Sequence, residues 1–586
     1  MRSRTAGASS YGVDDIMSVA KGSDIVWEVG EKYFDWLKED DILLKAKLGI
    51  PIENRPDISE EKARKDCERA EELLSMLARV DCSELSHDES ISLGVLETEL
   101  RNRREQFRHY WLSFPITPYS SPFTTVVDVL QRFELKDRVS ADRYLRLLAE
   151  LTSLVDDIVV KLRGQLERGI IIPRPELDSV IPFVRSHIGD IDNGSLSLTK
   201  NRCRSLPDNE IDSVRERASA LLETEVNPAI RMLAETLEED YRDAAPVSVG
   251  FDQYPGGQEY YGWLIMKYTS LEMSPSDIHE LGLKEVDRMR ASIDALAKSL
   301  GFEGSFEEFR RSLVGDPRFV PSNPEAIGEY YMRCIRRIEP MMDEYFTRLP
   351  KAGYSVKRLP VAVEGALTFG YYQEPTAVDP TGYYIYNGSN HAEQSLLTAA
   401  DTIFHELLPG HHMEACLARE DQALPQLQRH RYDDSYSEGW AEYAASLAIE
   451  MGAYPGQYDL LGRLLGELFM SARLVVDTGM NAMGWSLERA ESYMRENSML
   501  SEQEIRSEAL RYSCDMPAQA LSYRLGHLKI RALRDEASRI MGDDFDIRRF
   551  HDVVLLSGAI PLSVLEGHIK HFINEKRRKD AKAIIH

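Results

Sequence analysis

Residues 396–408, Leu-Leu-Thr-Ala-Ala-Asp-Thr-Ile-Phe-His-Glu-Leu-Leu, read as a buried helix that carries His405 and Glu406 side by side. A charged Glu next to a His in an apolar helix is costly to bury unless both are paired or bound to a metal ion. The chain continues Pro409-Gly410-His411-His412. Two His at i and i+4, with Glu after the first, put both imidazoles on one helix face about 6 Å apart and suit zinc. Here the i+4 position is Pro409, which offers no ligand atom. On a straight helix His411 would point about 120° away from His405, and His412 would lie about 10 Å further along. Pro409 removes a backbone donor and Gly410 permits unusual dihedrals. A bulge or kink at the Pro-Gly pair is therefore expected to bring one of the two imidazoles onto the metal. His411 is favoured over His412, and the choice stays open in the sequence.

Three protein ligands leave a fourth position for water. The best third ligand is Glu438, in Tyr436-Ser437-Glu438-Gly439-Trp440-Ala441-Glu442-Tyr443, which opens a second helix. Glu442, one turn on, suits a residue that holds a His ligand by hydrogen bond; His412 is placed with it behind the ligands. The expected cofactor is Zn2+. Glu406 is the expected general base, taking a proton from water activated by zinc and returning it to the leaving amine. Tyr512, Tyr523 and Arg473 are candidate donors to the oxyanion. His411 and Glu414 also make a His-x-x-Glu pair, but that pattern belongs with an α/β sheet, and the alternation of strands and helices it needs is missing here.

Working outward, apolar residues recur every three or four positions over 24–80, 88–106, 140–169 and from 176. Ser274-Pro275-Ser276-Asp277 and Ser501-Glu502-Gln503-Glu504 signpost helix starts. Long amphipathic runs follow at 276–300, 324–347, 457–480 and 501–512. The Pro- and Ser-rich stretch 111–125 reads as irregular. Strand signals concentrate at 361–387, in Val361-Ala362-Val363-Glu364, Phe369-Gly370-Tyr371-Tyr372 and Tyr383-Tyr384-Ile385-Tyr386-Asn387, and predict a small antiparallel sheet beside the metal helix. An edge strand there would bind substrate backbone, with Tyr384 and Tyr386 as substrate-binding candidates. The expectation is a mainly α protein: a flexible tail over 1–20, an N-terminal helical lobe over 21–250 and a catalytic lobe over 251–586.

Composition narrows the function. The 586 residues include 71 basic and 97 acidic side chains, a net charge of -26. Nucleic acid needs a basic surface, and the sequence has no basic stripe, so no nucleic-acid partner is expected. There is neither a signal-peptide core nor a run of about 18 apolar residues, so no membrane association is expected and the default compartment is the cytoplasm. The six cysteines are scattered, which argues against a disulfide framework or a cysteine zinc cluster.

Several stretches together resemble the DUF885 family, a set of proteins similar to gluzincin-type zinc peptidases. They are Glu97-Thr98-Glu99-Leu100, Gly169-Ile170-Ile171-Ile172-Pro173-Arg174, Gly370-Tyr371-Tyr372, His405 to His412, Tyr436 to Tyr443, Arg473 to Gly479, Gly484-Trp485-Ser486 and Pro517 to Gly526. The family is distantly similar to angiotensin-converting enzyme, neurolysin and thermostable carboxypeptidases. The resemblance implies a two-lobed helical metallopeptidase fold with a deep central cleft. It also implies His405, His411 and Glu438 as ligands, Glu406 as base, and Tyr512 and Tyr523 facing the cleft. The chain departs from the family at Asn481, where a His is frequent; Asn donates a hydrogen bond to substrate but carries no charge. The leading reading is zinc-dependent hydrolysis of short peptides. The alternatives are a zinc amidohydrolase of small amino-acid conjugates, since the same groups would cleave any amide, and a non-catalytic helical interaction protein.

Overall fold

The structure, a computed structural model, describes residues 22–359, 364, 370–376 and 379–585. The tail expected over 1–20 lies outside these. The capping signals act as read. Ser274 accepts from the Asp277 N–H, and Pro275 opens the helix that follows. Ser501 and Glu504 cap each other's backbone. Each such cap is worth about 1 kcal/mol. The irregular stretch is shorter than expected, because Ser121 caps a further helix, Pro122–Arg132, with Pro at its first position.

The protein is mainly helical. The elements that build the candidate site are α1 (Gly22–Asp40), α2 (His87–Arg108), α3 (Gly257–Thr269), α4 (Pro275–Ser299) and α5 (Pro324–Ile338). Strands β1 (Gly353–Arg358), β2 (Tyr371–Gln373) and β3 (Thr381–Tyr386) follow. Then come α6 (Ala399–Glu406), α7 (His411–Glu420), α8 (Asp434–Glu450), α9 (Gln457–Ala482), α10 (Glu502–Leu510), α11 (Leu521–Met541) and α12 (Leu562–Ile585).

The sheet is mixed rather than antiparallel. Its order is β1-β3-β2, with β1 parallel and β2 antiparallel to β3. The first strand is Gly353–Arg358, not 361–364; of that segment 361–363 and Phe369 lie outside the described residues, and Glu364 sits in a turn. The reason is burial. Only the central strand, β3, is largely buried, so it alone shows a dense apolar run, while β1 is half-exposed and reads faintly.

The apolar cores do not follow a division near residue 250. One core joins residues from Leu112 to Ile278 with Leu474, Leu521 and Leu525. A second packs Val26 to Leu100 against residues from Ile327 to Ile573, so α1 and α2 belong with the metal-bearing helices. Sequence position misplaces them because helix packing is decided by which apolar stripe meets which. α8 and α11 cross at glycine on both sides. A Cβ on Gly439 would stand 2.5 Å from Gly526 Cα, and one on Gly526 would stand 2.1 Å from the Ser435 carbonyl oxygen. The two backbones therefore touch, and any side chain at either position would force them apart. All six cysteines are free. Among the described residues no helix is long and apolar enough to cross a membrane.

Candidate metal centre

The Pro-Gly pair does more than kink a helix. α6 stops at Glu406, residues 407–410 form a break with a cis Leu408–Pro409 peptide, and α7 starts afresh at His411. Gly410 is required by close approach: a Cβ there would fall 1.8 Å from the His405 carbonyl oxygen. With the chain folded back this tightly, His405 and His411 face each other, ring centroids 4.7 Å apart at 90°.

α8 completes the group. Its N-cap, Asp433, accepts from the Tyr436 N–H. One turn in, Glu438 Oε2 lies 3.3 Å from His405 Nε2 and 3.3 Å from His411 Nε2. One ligand atom from each of the three lies within 4.8 Å of the others, and among the described residues no other His, Cys, Asp and Glu come together in this way. All three side chains are nearly buried. Glu438 Oε2 makes no aligned hydrogen bond despite its burial, whereas Oε1 accepts from the Tyr432 hydroxyl at 2.6 Å. A buried carboxylate oxygen facing two imidazole nitrogens without bonding either is the arrangement a cation would satisfy. Two nitrogens and one carboxylate oxygen with a position to spare is a donor set that suits zinc. The residues present therefore fit the ion the sequence suggests.

The electrostatics agree with the packing. Burial opposes charge on Glu438, but His411 and His405 outweigh it and hold the carboxyl well below its usual range. Burial likewise opposes charge on His405, yet Glu438 and Glu442 drive its pKa well above the ordinary value. Burial raises the Glu406 carboxyl; His405 and His411 pull it down, and Glu438 adds to the rise. A raised carboxyl suits proton transfer near neutral pH. The Tyr372 backbone amide on the edge strand β2 also bears on it. Tyr384 and Tyr331 pack edge to face, 5.1 Å apart, close enough to Glu406 for its charge to raise both phenols.

Behind His405 lies a buried ion network. His405 Nδ1 meets Glu442 Oε1 at 3.0 Å. Arg463, fully buried on α9, reaches Asp401 at 2.7 Å, Glu442 at 3.0 Å and Glu467 at 3.2 Å. Glu467 in turn receives Arg524 at 2.9 Å. Glu442 thus fixes the tautomer and aim of His405, and Arg463 fixes Glu442. Glu442→Gln is expected to raise the dissociation constant for zinc roughly 10–100-fold, read by competition with a chromogenic chelator. On the same helix Trp440 donates from its indole nitrogen to the Pro409 carbonyl at 2.9 Å, tying α8 to the break between the two histidines.

His412 is not among the facing donors. Its Nδ1 meets the Tyr372 hydroxyl at 3.0 Å and its Nε2 the Ala352 carbonyl at 3.1 Å, so it pins the sheet to α7 rather than backing a ligand. Tyr523 does face the centre, its ring 6.2 Å from that of His405 and nearly parallel. Four expected roles are corrected. Tyr512 is fully buried, its hydroxyl donating to Glu508 and accepting from Arg473 Nε, so it points away from any cleft. Arg473 is spent on Tyr512 and Glu508, with its guanidinium 4.7 Å above the Tyr523 ring; it positions Tyr523 instead of meeting substrate. Asn481 is fully buried, donating to the Asp477 and Tyr512 carbonyls and accepting from the Phe251 N–H, which leaves nothing for a substrate. Tyr386 wedges against Gly328 and joins the sheet to α5.

Sequence reasoning missed Tyr432, Tyr331, Asp401, Arg463 and Glu467. The available signal was charge inside apolar helices: Arg463 and Glu467 sit i,i+4 among Leu461, Leu465 and Leu468, all buried. Charged residues at such positions need partners.

Two solved structures share the fold. One, described as a putative lipoprotein from Colwellia psychrerythraea, has 25% identity and a TM-score of 0.88, over 95% of this chain and 100% of its own. The other, a putative lipoprotein of unknown function from Shewanella oneidensis, has 16% identity and a TM-score of 0.65, over 92% of this chain and 99% of its own. No curated protein matches the chain. The family described as bacterial protein of unknown function, DUF885, matches residues 44–569. The chain that folds around this His-His-Glu group belongs to the DUF885 family.

Proposed function

We propose that this protein is a zinc-dependent peptidase acting on short peptides, a helical metallopeptidase that holds its metal at the foot of a cleft. His405 Nε2, His411 Nε2 and Glu438 Oε2 would hold the ion. The observation that carries the reading is the buried Glu438 oxygen, 3.3 Å from each imidazole and bonded to neither. When bound, zinc supplies the Lewis acidity that makes a water nucleophilic near neutral pH.

The chain's own residues do the rest. Glu406, its carboxyl raised by burial, takes the proton of the attacking water and hands it to the leaving amine. Tyr331 and Tyr384 flank it on the side of the sheet. Tyr523, beside His405, offers its hydroxyl to the developing oxyanion. The free edge of β2 gives an extended peptide a strand to pair with, at the level of Glu406. The net charge of -26 favours neither nucleic acid nor an anionic membrane as partner, and we assign the activity to the cytoplasm.

Metal analysis of the purified protein followed by digestion of a peptide library tests the reading. The expected result is about one zinc per chain, peptide cleavage abolished by 1,10-phenanthroline, and recovery on adding zinc. Zinc at a thousandfold its dissociation constant should also raise stability by about 4 kcal/mol, read as a higher Tm than the chelated protein. Absence of bound zinc would sink the proposal. Zinc with cleavage of small amino-acid conjugates only would move it to an amidohydrolase.

A further inference from the structure

Arg511 opens a π-helical turn, Arg511–Asp515, that follows α10. The chain is strongly acidic, yet next to Tyr523 the balance reverses. Arg473 and Arg511 share one carboxylate, Glu508, at 2.8 Å and 3.3 Å. Glu508 is drawn further by the Tyr512 hydroxyl. Asp515, the next acid, is taken up by the Thr117 hydroxyl and the Tyr119 and Ser120 amides. Asp434 accepts from Gln519.

The two arginines differ in what they have left. Arg473 is paired on both sides and stacked on Tyr523. Arg511 gives one amino group to Gln519 at 2.6 Å and the other to Glu508 at the long distance already noted. Its Nε is buried without a hydrogen-bond partner. The guanidinium faces the Tyr523 hydroxyl on one side and lies 5.6 Å from the Tyr119 ring on the other. Lys267 of α3 adds a further positive charge near Asp434, its ammonium over the Tyr268 ring at 4.8 Å. The other cations in this part of the chain are engaged: Arg524 with Glu285 and Glu467, Lys529 with Glu566. A nearly buried guanidinium with a half-share of one carboxylate is costly unless an anion completes it, and the planar fork of Arg suits a carboxylate.

We propose that Arg511 receives the free α-carboxylate of the substrate, so that the enzyme removes residues from peptide C-termini instead of cutting within chains. The assignment rests on the zinc-peptidase reading above. Tyr523 links the two parts, with its ring against the ligand His405 and its hydroxyl beside Arg511. The last peptide bond then falls between the metal and the cation.

The test compares two libraries of N-acetylated tripeptides, one ending in free acids and one in amides, on the zinc-loaded full chain, wild type and Arg511→Gln. The expected result is a wild-type preference for the acids of roughly 10–100-fold in kcat/KM, carried mostly by KM, which collapses toward one in Arg511→Gln. Equal cleavage of acids and amides by wild type, or an undiminished preference in Arg511→Gln, would overturn the proposal. If wild type binds zinc but cuts neither library, the peptidase reading has failed, and the subsite is decided by calorimetric binding of N-acetyl amino acids against their amides. Acids that bind wild type and not Arg511→Gln support it; no difference overturns it. Should Arg511→Gln fail to fold, Arg511→Lys takes its place, and the acid-to-amide ratio of wild type alone remains decisive.

Discussion

Glu406→Gln is expected to keep one zinc per chain and to lose turnover by about 10²–10⁴-fold, the usual worth of a positioned general base. Gln is nearly isosteric and neutral, so the buried pocket loses a carboxyl that desolvation already disfavours as an anion. The three facing donors are left intact, which is why metal and activity should separate. His405→Ala removes a donor and empties the socket that Glu442 reaches into, so zinc and activity should disappear together. Metal content by emission spectrometry beside single-turnover rates on the best library peptide reads both. Normal turnover by Glu406→Gln would remove the carboxylate from the reaction.

Arg463→Met should be the most destabilising single change in the catalytic region. It keeps much of the side-chain volume and withdraws the only charge that Asp401, Glu442 and Glu467 all contact. Breaking one buried ion pair costs about 3–5 kcal/mol, because the partner stays buried and uncompensated. The urea midpoint should fall accordingly, and zinc affinity should fall with it as Glu442 loses its hold. The pH dependence has a definite sign. Burial already lifts Asp401 to about 6 with Arg463 in place, and without the guanidinium its carboxyl rises further. A buried acid with a raised pKa costs stability while charged and is relieved as pH falls through that value. The gap between wild type and Arg463→Met should therefore be smaller at pH 5 than at pH 8. An equal gap at both would place the loss in packing rather than charge.

What the sequence discloses and what it withholds divide along local and distant interactions. Ser274 and Ser501 announce their helices because a cap acts within four residues. His405, Glu406, His411 and Glu438 are legible because chemistry restricts which residues can bind a metal, even though the spacing of the first three breaks the simplest pattern. The network through Arg463 is not legible by spacing. Asp401, Glu442 and Arg463 come from three helices, and nothing local says which acid an arginine will meet. Asn481 shows the opposite error. A position read as substrate-facing from a family habit turns out to bind three segments of backbone. The sheet fails for a third reason, since a half-exposed strand such as β1 carries little periodicity to read.

Along one turn of α8 sit the carboxylate aimed at the two imidazoles, the glycine that lets α11 touch, the indole that clasps Pro409 and the acid that steadies His405. Four jobs share one stretch of five consecutive residues and one rotational phase. Slipping a single amino acid into that stretch would turn everything beyond it by about 100°, so the socket, the clasp and the helix crossing would be lost in the same stroke. Drift is thus tolerated in the loops around this segment and forbidden within it.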